Sequence, residues 1–226
     1  MIRAFLAVEL SQELRAGLAT VQQELKQRIE LEMKRDMRIS WAQPASIHLT
    51  LKFLGDMDEQ VIDPLRAALE QAIGSQIAVN VPLERLGAFP HPQSPRVLWV
   101  GPSENWERGA EAKRIAEIHG AIEQACEGCS FLRETRPFSP HLTLARIKVG
   151  ERQVGVALAK SGVLDRPLFL GSLAVESVGL VYIGLDDGTG QPITQEFRFH
   201  GDRSVIKQRS SQAALDLLRR WLLGRA

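Results

Sequence analysis

The chain has little cysteine, little net charge and no long apolar run, and each scarcity removes a class of function. Cys126 and Cys129 are its two cysteines and form a lone CxxC. A zinc site needs two further ligands at suitable spacing, and no second pair exists. A redox pair needs its first thiol at a helix N-terminus. Here it falls at the end of a predicted helix, where the dipole opposes a thiolate. The pair reads as two reduced structural thiols. Net charge is +1 over 226 residues, which removes a whole-molecule electrostatic case for duplex binding but leaves room for a local basic pocket. No uninterrupted apolar stretch approaches the roughly 20 residues of a membrane span. The apolar residues 2–10 are interrupted by Glu9 and followed by no small-residue cleavage pattern, so they read as a first strand, and a cytoplasmic protein is expected. No carboxylate cluster of metal-ligand type stands out; no metal and no cofactor are expected.

Hydrophobic content of 44% and charged content of 24% are those of an ordinary globular chain able to bury a core. Apolar spacing at Leu14, Leu18, Val21, Leu25 and Ile29 predicts a helix from Gln12 to about Glu32, capped by Ser11. Another is expected over 58–73, where Pro64 demands either a start at that residue or a loose first turn. A third runs from a Ser103 cap to about Cys126, and a short one covers 151–160. Strands are expected over 39–43, 46–54, 77–86, 96–100, 139–149, 168–170, 173–185 and 193–199. Residues 210–223 are expected to form an amphipathic helix. Within 201–226, six basic and two acidic residues give +4, leaving −3 for the rest. The expected fold class is α+β: two similar lobes of antiparallel sheet with outer helices about a central cleft, plus this extra C-terminal helix. The expected domains are 1–200, one bilobal unit, and 201–226, a basic extension.

What the chain has twice is His-Leu-Thr-Leu, at His48-Leu49-Thr50-Leu51 and His141-Leu142-Thr143-Leu144. In a strand, residues i and i+2 share a face. Each copy therefore sets an imidazole and a hydroxyl on one side and two leucines on the core side. Two such faces can converge on one substrate. Other histidines carry less: His91 lies in a Pro-rich loop that can rim the cleft, while His119 and His200 read as structural or surface groups. A Ser139–His141 serine hydrolase lacks the strained nucleophile turn.

The paired motif resembles the 2H phosphoesterase superfamily. Its flanks resemble the RNA 2′,3′-cyclic phosphodiesterases, the LigT or ThpR group. They are the run from Arg3 to Val8, Lys52-Phe53-Leu54-Gly55, Phe89-Pro90, Val97-Leu98-Trp99-Val100-Gly101, Pro137-Phe138-Ser139-Pro140 and Ala145-Arg146. The likeness spans about residues 2–200 and leaves out the C-terminal helix.

The resemblance implies metal-independent hydrolysis of RNA ends bearing a 2′,3′-cyclic phosphate to a 2′-phosphate, with reverse 2′–5′ ligation possible in principle. His48 would be the general acid on the leaving 3′-oxygen and His141 the general base on water; the sequence itself is symmetric on that choice. Unperturbed imidazoles, titrating near 6.5, suit both tasks. Thr50 and Thr143 would donate to the non-bridging oxygens. Arg146 is the implied phosphate ligand. Strand parity turns it away from His141, and a bulge near Ala145 would return it. Phe53 holds the same offset from His48 and is a candidate base-stacking residue. The alternatives are a 2H esterase for 2′–5′ oligonucleotides or small cyclic-phosphate nucleotides, and a non-catalytic RNA-binding module. Expected partners are RNA ends and no membrane; the chain is read as a monomer, with dimerisation through the C-terminal helix as the other option.

Overall fold

The computed structural model describes residues 2–30, 37–74, 79–186 and 192–198. The expected C-terminal helix and His200 lie outside the described residues. Strand β1 (Ile2–Glu9) leads into helix α1 (Gln12–Glu30), where the Leu14 amide donates to Ser11 Oγ at 3.2 Å, the expected cap. The stripe Leu14, Leu18, Val21, Leu25 and Ile29 is buried. Strands β2 (Arg38–Trp41) and β3 (His48–Met57) follow. Asp58 then accepts from the Gln60 amide at 2.9 Å, starting a single 3-10 turn, Glu59–Val61, that runs into α2 (Ile62–Ile73). Pro64 thus falls in the first turn of α2, where its missing N–H would have had no helical partner.

The next elements are β4 (Val79–Pro82), β5 (Arg85–Phe89), β6 (Val97–Gly101), α3 (Glu104–Glu107), α4 (Ala110–Gly128), β7 (Leu142–Val149), α5 (Glu151–Ser161), β8 (Ser172–Val175), β9 (Gly179–Asp186) and β10 (Pro192–Arg198). Several expectations are corrected. The strand foreseen over 77–86 is two strands in different sheets. The chain turns where the Leu83 amide donates to Gly171 O and the Glu84 amide to Gly101 O. The run 173–185 likewise divides, β8 pairing with β4 in a small sheet and β9 joining the main one. Residues 168–170 join neither sheet, although Leu168 and Leu170 donate to the Glu84 and Leu83 carbonyls. The helix foreseen from Ser103 is also interrupted: Ser103 caps the short α3, and Gly109 caps α4.

The main sheet is antiparallel in the order β10-β9-β1-β3-β7-β6-β5, with β2 also paired to β7. Its two halves repeat one plan. β3 lies on β1 and β1 on β9; β7 lies on β6 and β6 on β5. The halves meet through a single residue pair, Leu49 opposite Leu142. Beyond that bridge β7 takes β2 as its neighbour instead of β3, so the sheet opens into two lobes. Helices cover the far side. α1 sits behind β7, where Gln22 Nε2 donates to the carbonyls of Leu144 at 2.9 Å and Ala42 at 2.8 Å, and α5 packs against it. α2 and α4 pack together, with α4 against β3. The bilobal α+β architecture is the expected one.

Candidate active site

The lobes join at the centre of the two motifs. Leu49 and Leu142 are 1% and 0% exposed and Leu51 and Leu144 are buried, while His48, Thr50, His141 and Thr143 are half-buried. The alternation read from the sequence holds. Continuing the antiparallel register one step from the Leu49–Leu142 bridge brings His48 beside Thr143 and His141 beside Thr50. The two histidines are then diagonal neighbours, a relation that in regular strands means about 7–8 Å, somewhat less between Cβ atoms.

Each imidazole is oriented in the same way. His48 Nδ1 lies 2.8 Å from Ser46 O, and His141 Nδ1 lies 2.8 Å from Ser139 O. A carbonyl oxygen only accepts, so Nδ1 carries a proton in both rings, and Nε2 is the nitrogen left to exchange one. Aromatic rings hold the imidazoles from the side: Phe5 stacks on His48 at 4.6 Å, and Phe89 meets His141 edge-on at 4.9 Å. Trp99 lies behind, 5.0 Å from Phe89 and 6.3 Å from His141. Trp99 rests on Gly87, where any Cβ would collide with the indole.

Electrostatics favour the neutral imidazole at both positions. Burial lowers the His48 pKa below 6.5, with a further push from Arg15; the Ser46 hydrogen bond opposes them. Burial lowers His141 likewise, assisted by Arg146 and opposed by Ser139. The two cations differ in their company. Arg15 sits 3.8 Å from Glu9, which lies opposite His48 in the sheet. Arg146 is exposed and forms no ion pair among the described residues.

Both residues left open by strand parity are settled by bulges. In β3, Thr50 faces Ala7 and Lys52 faces Leu6, so Leu51 is an extra residue. In β7, Thr143 faces Trp99 and Ala145 faces Leu98, so Leu144 is the extra one. Each bulge shifts the alternation by one. Phe53 and Arg146 therefore come round to the side of the histidines. Phe53 is 69% exposed and lies 6.2 Å from Phe5.

His91 is exposed in its loop. His119 is buried and stacks on Phe138 at 4.4 Å. Cys126 is buried, and burial pushes its thiol up to about 12, which makes it inert. Among the described residues no group of three or more His, Cys, Asp or Glu side chains clusters as metal ligands. Sequence reasoning did not select Phe5, Arg15, Phe89 or Trp99 as site residues. Three of them were visible only as parts of the flanking runs.

A buried ion pair ties the two arms together. Lys52 and Glu123 are each 3% exposed and meet at 2.7 Å. Lys52 Nζ also donates to Leu132 O at 2.8 Å, and Glu123 Oε2 accepts from the Glu134 amide at 3.0 Å. The residue next to one bulge thereby anchors the loop that leads to the other histidine.

Residues 20–187 match the family model described as the 2′-5′ RNA ligase superfamily. The RNA 2′,3′-cyclic phosphodiesterase of Methanothermobacter thermautotrophicus is 30% identical over 179 residues, 79% of this chain and 88% of that protein. Its namesake from Thermotoga maritima is 31% identical over 65% of this chain and 71% of its own. Among solved structures, a Thermus thermophilus protein superposes with a TM-score of 0.59 at 26% identity, covering 87% of this chain and 96% of that one. Escherichia coli LigT with 3′-AMP shares the fold at a TM-score of 0.61 and 22% identity, over 88% and 97% of the two chains.

Proposed function

The chain belongs to the 2′-5′ RNA ligase superfamily, and from that premise we propose that it hydrolyses RNA 2′,3′-cyclic phosphate ends to 2′-phosphates. The observation that carries this reading is the matched pair of imidazoles at the Leu49–Leu142 bridge, each fixed through Nδ1 and each left with Nε2 for proton transfer.

Water attacks phosphorus in line with the 3′-oxygen and gives its proton to His141 Nε2. The bond from phosphorus to O3′ breaks, and O3′ takes a proton from His48 Nε2. The product carries a 2′-phosphate and a free 3′-hydroxyl; solvent exchange resets the two histidines. Thr50, Thr143 and Arg146 meet the non-bridging oxygens, where hydrogen bonds aimed at developing charge are worth most. Arg146, which lowers the His141 pKa and forms no ion pair among the described residues, suits the base assignment, because a neighbouring cation keeps that ring neutral. Arg15 lowers the His48 pKa as Arg146 lowers that of His141, and a bound phosphate raises the proton affinity of both rings; the acid role of His48 follows the family resemblance. With a 5′-hydroxyl attacking in place of water, the same forward steps make a 2′–5′ linkage and free the 3′-hydroxyl. One chain supplies both motifs, so a monomer suffices, and RNA ends in the cytoplasm are the substrate this reading assigns.

The test is turnover of an RNA oligonucleotide with a 2′,3′-cyclic phosphate end in EDTA. His48→Ala and His141→Ala should each lower kcat by about 10²–10⁴-fold. Full activity in either variant would end the two-histidine mechanism. Binding without turnover by the native chain would make it a binding module.

A further inference from the structure

Beyond Arg146, exposed cations continue around the far end of β7, on both sides of that strand. Lys148 and Arg38 lie at the far end of the β7–β2 pair, Arg38 opposite Val149 and Ser40 opposite Arg146. Arg96 is adjacent, its carbonyl accepting from the Ile147 amide at 2.9 Å. It shares an open cavity of about 420 Å³ with Ser94, Val149, Glu151 and Arg152, at the start of α5. Gly150 holds this corner together. Its φ is 87°, and a Cβ there would come within 2.8 Å of Met37 Cγ, so the ends of β2 and α5 approach closely. Arg38, Arg96, Lys148 and Arg152 are all exposed, and none forms an ion pair among the described residues. Glu151 is the one carboxylate lining the cavity.

Lone surface cations are common; a row that begins at a phosphoryl site is not. Same-face residues two apart on a strand are about 7 Å apart, comparable to successive phosphates of an extended single strand. We propose that Lys148, Arg38, Arg96 and Arg152 form a phosphate track for the RNA strand 5′ to the cyclic end, running from Arg146 along β7 to the cavity at α5. The inference rests on the cyclic phosphodiesterase reading and extends it. A cyclic-phosphate terminus has one strand leaving it, through its 5′-oxygen, so one track is what the substrate needs. The low overall charge fits a narrow single-strand path and not a duplex face. A mononucleotide cannot reach the track.

The experiment compares the native protein with a variant carrying Arg38→Gln, Arg96→Gln, Lys148→Gln and Arg152→Gln. Turnover is measured on 2′,3′-cyclic AMP and on a short RNA with the same terminus. Binding of a fluorescent RNA ending in a 2′-phosphate is followed by anisotropy against salt. The variant should lose tenfold or more in kcat/KM on the RNA, keep its rate on cyclic AMP, and bind RNA with a shallower salt dependence. The slope should fall by about 0.7 for each phosphate contact removed. Unchanged cyclic AMP turnover is the internal check of folding. Equal losses on both substrates, or no loss on RNA, would overturn the track. If the native protein turns over neither substrate yet binds RNA through these four residues, the track stands and the enzymatic reading fails.

Discussion

Leu51 and Leu144 are counterparts: each is the extra residue of a bulge that follows a His-Leu-Thr triplet. Both leucines stay in the core, at 4% and 0% exposure, and both bulges turn the residue two places on toward the cleft. On one arm that residue is Phe53, on the other Arg146. The lobes thus share a backbone device and differ in what it delivers, an aromatic surface on one side and a cation on the other.

Phe53 is large, apolar and mostly exposed, which has no packing purpose. Its removal should therefore leave stability within about 0.5 kcal/mol of the native protein. Stacking on a nucleobase is worth about 1–3 kcal/mol. Phe53→Ala should raise KM for cyclic-phosphate RNA by about 5–150-fold while Phe53→Trp retains most affinity. A KM unchanged in Phe53→Ala would remove the stacking role.

How much of this was legible from the residues depended on periodicity. His-Leu-Thr-Leu is a period-two pattern with buried leucines, and the strand and its faces followed; that the two motif strands are neighbours in one sheet did not. A bulge has no such signature. Strict alternation sets Lys52 beside His48 and turns Phe53 away, whereas the structure does the reverse, and only the hydrogen-bond ladder fixes where the extra residue goes. Continuous apolar runs hid sheet changes for the same reason. Residues 173–185 suit one long strand as well as two short ones, because β propensity reports a half-buried surface and not which sheet provides it. The central charge pair was equally hidden: Lys52 and Glu123 are 71 positions apart, and each alone looks like a solvated residue.

His48, His119 and His141 all have pKa values lowered below 6.5, burial being the first cause in each case. The unfolded chain therefore binds more protons than the native one once the pH drops toward 6.5. Stability that is complete above about pH 6.5 should be lost as pH falls through the folded values, and the urea midpoint should fall between about pH 7 and 5. A phosphate in the cleft acts in the opposite direction, since its charge favours the imidazolium forms. Histidine NMR titrations should show His48 and His141 moving up on addition of a 2′-phosphate nucleotide, with His119 unmoved. Equal shifts in all three, or none, would place the anion elsewhere.

The Lys52–Glu123 pair separates stability from positioning. Removing one partner of a buried ion pair strands the other charge and costs about 3–5 kcal/mol, so Glu123→Ala should lower the urea midpoint sharply. Replacing both by apolar residues of similar size, Lys52→Met with Glu123→Leu, relieves that penalty and should recover much of the loss. It does not restore the bonds to Leu132 O and the Glu134 amide. Those bonds hold the segment that ends in Ser139, whose carbonyl fixes the His141 ring. A displacement of about 1 Å in a reacting group costs up to about 10²-fold. The double variant should therefore be near-native in stability yet reduced in kcat, with KM little changed. Native kcat in a stable double variant would mean that the loop needs no anchor from the first motif, and that the pair serves packing alone.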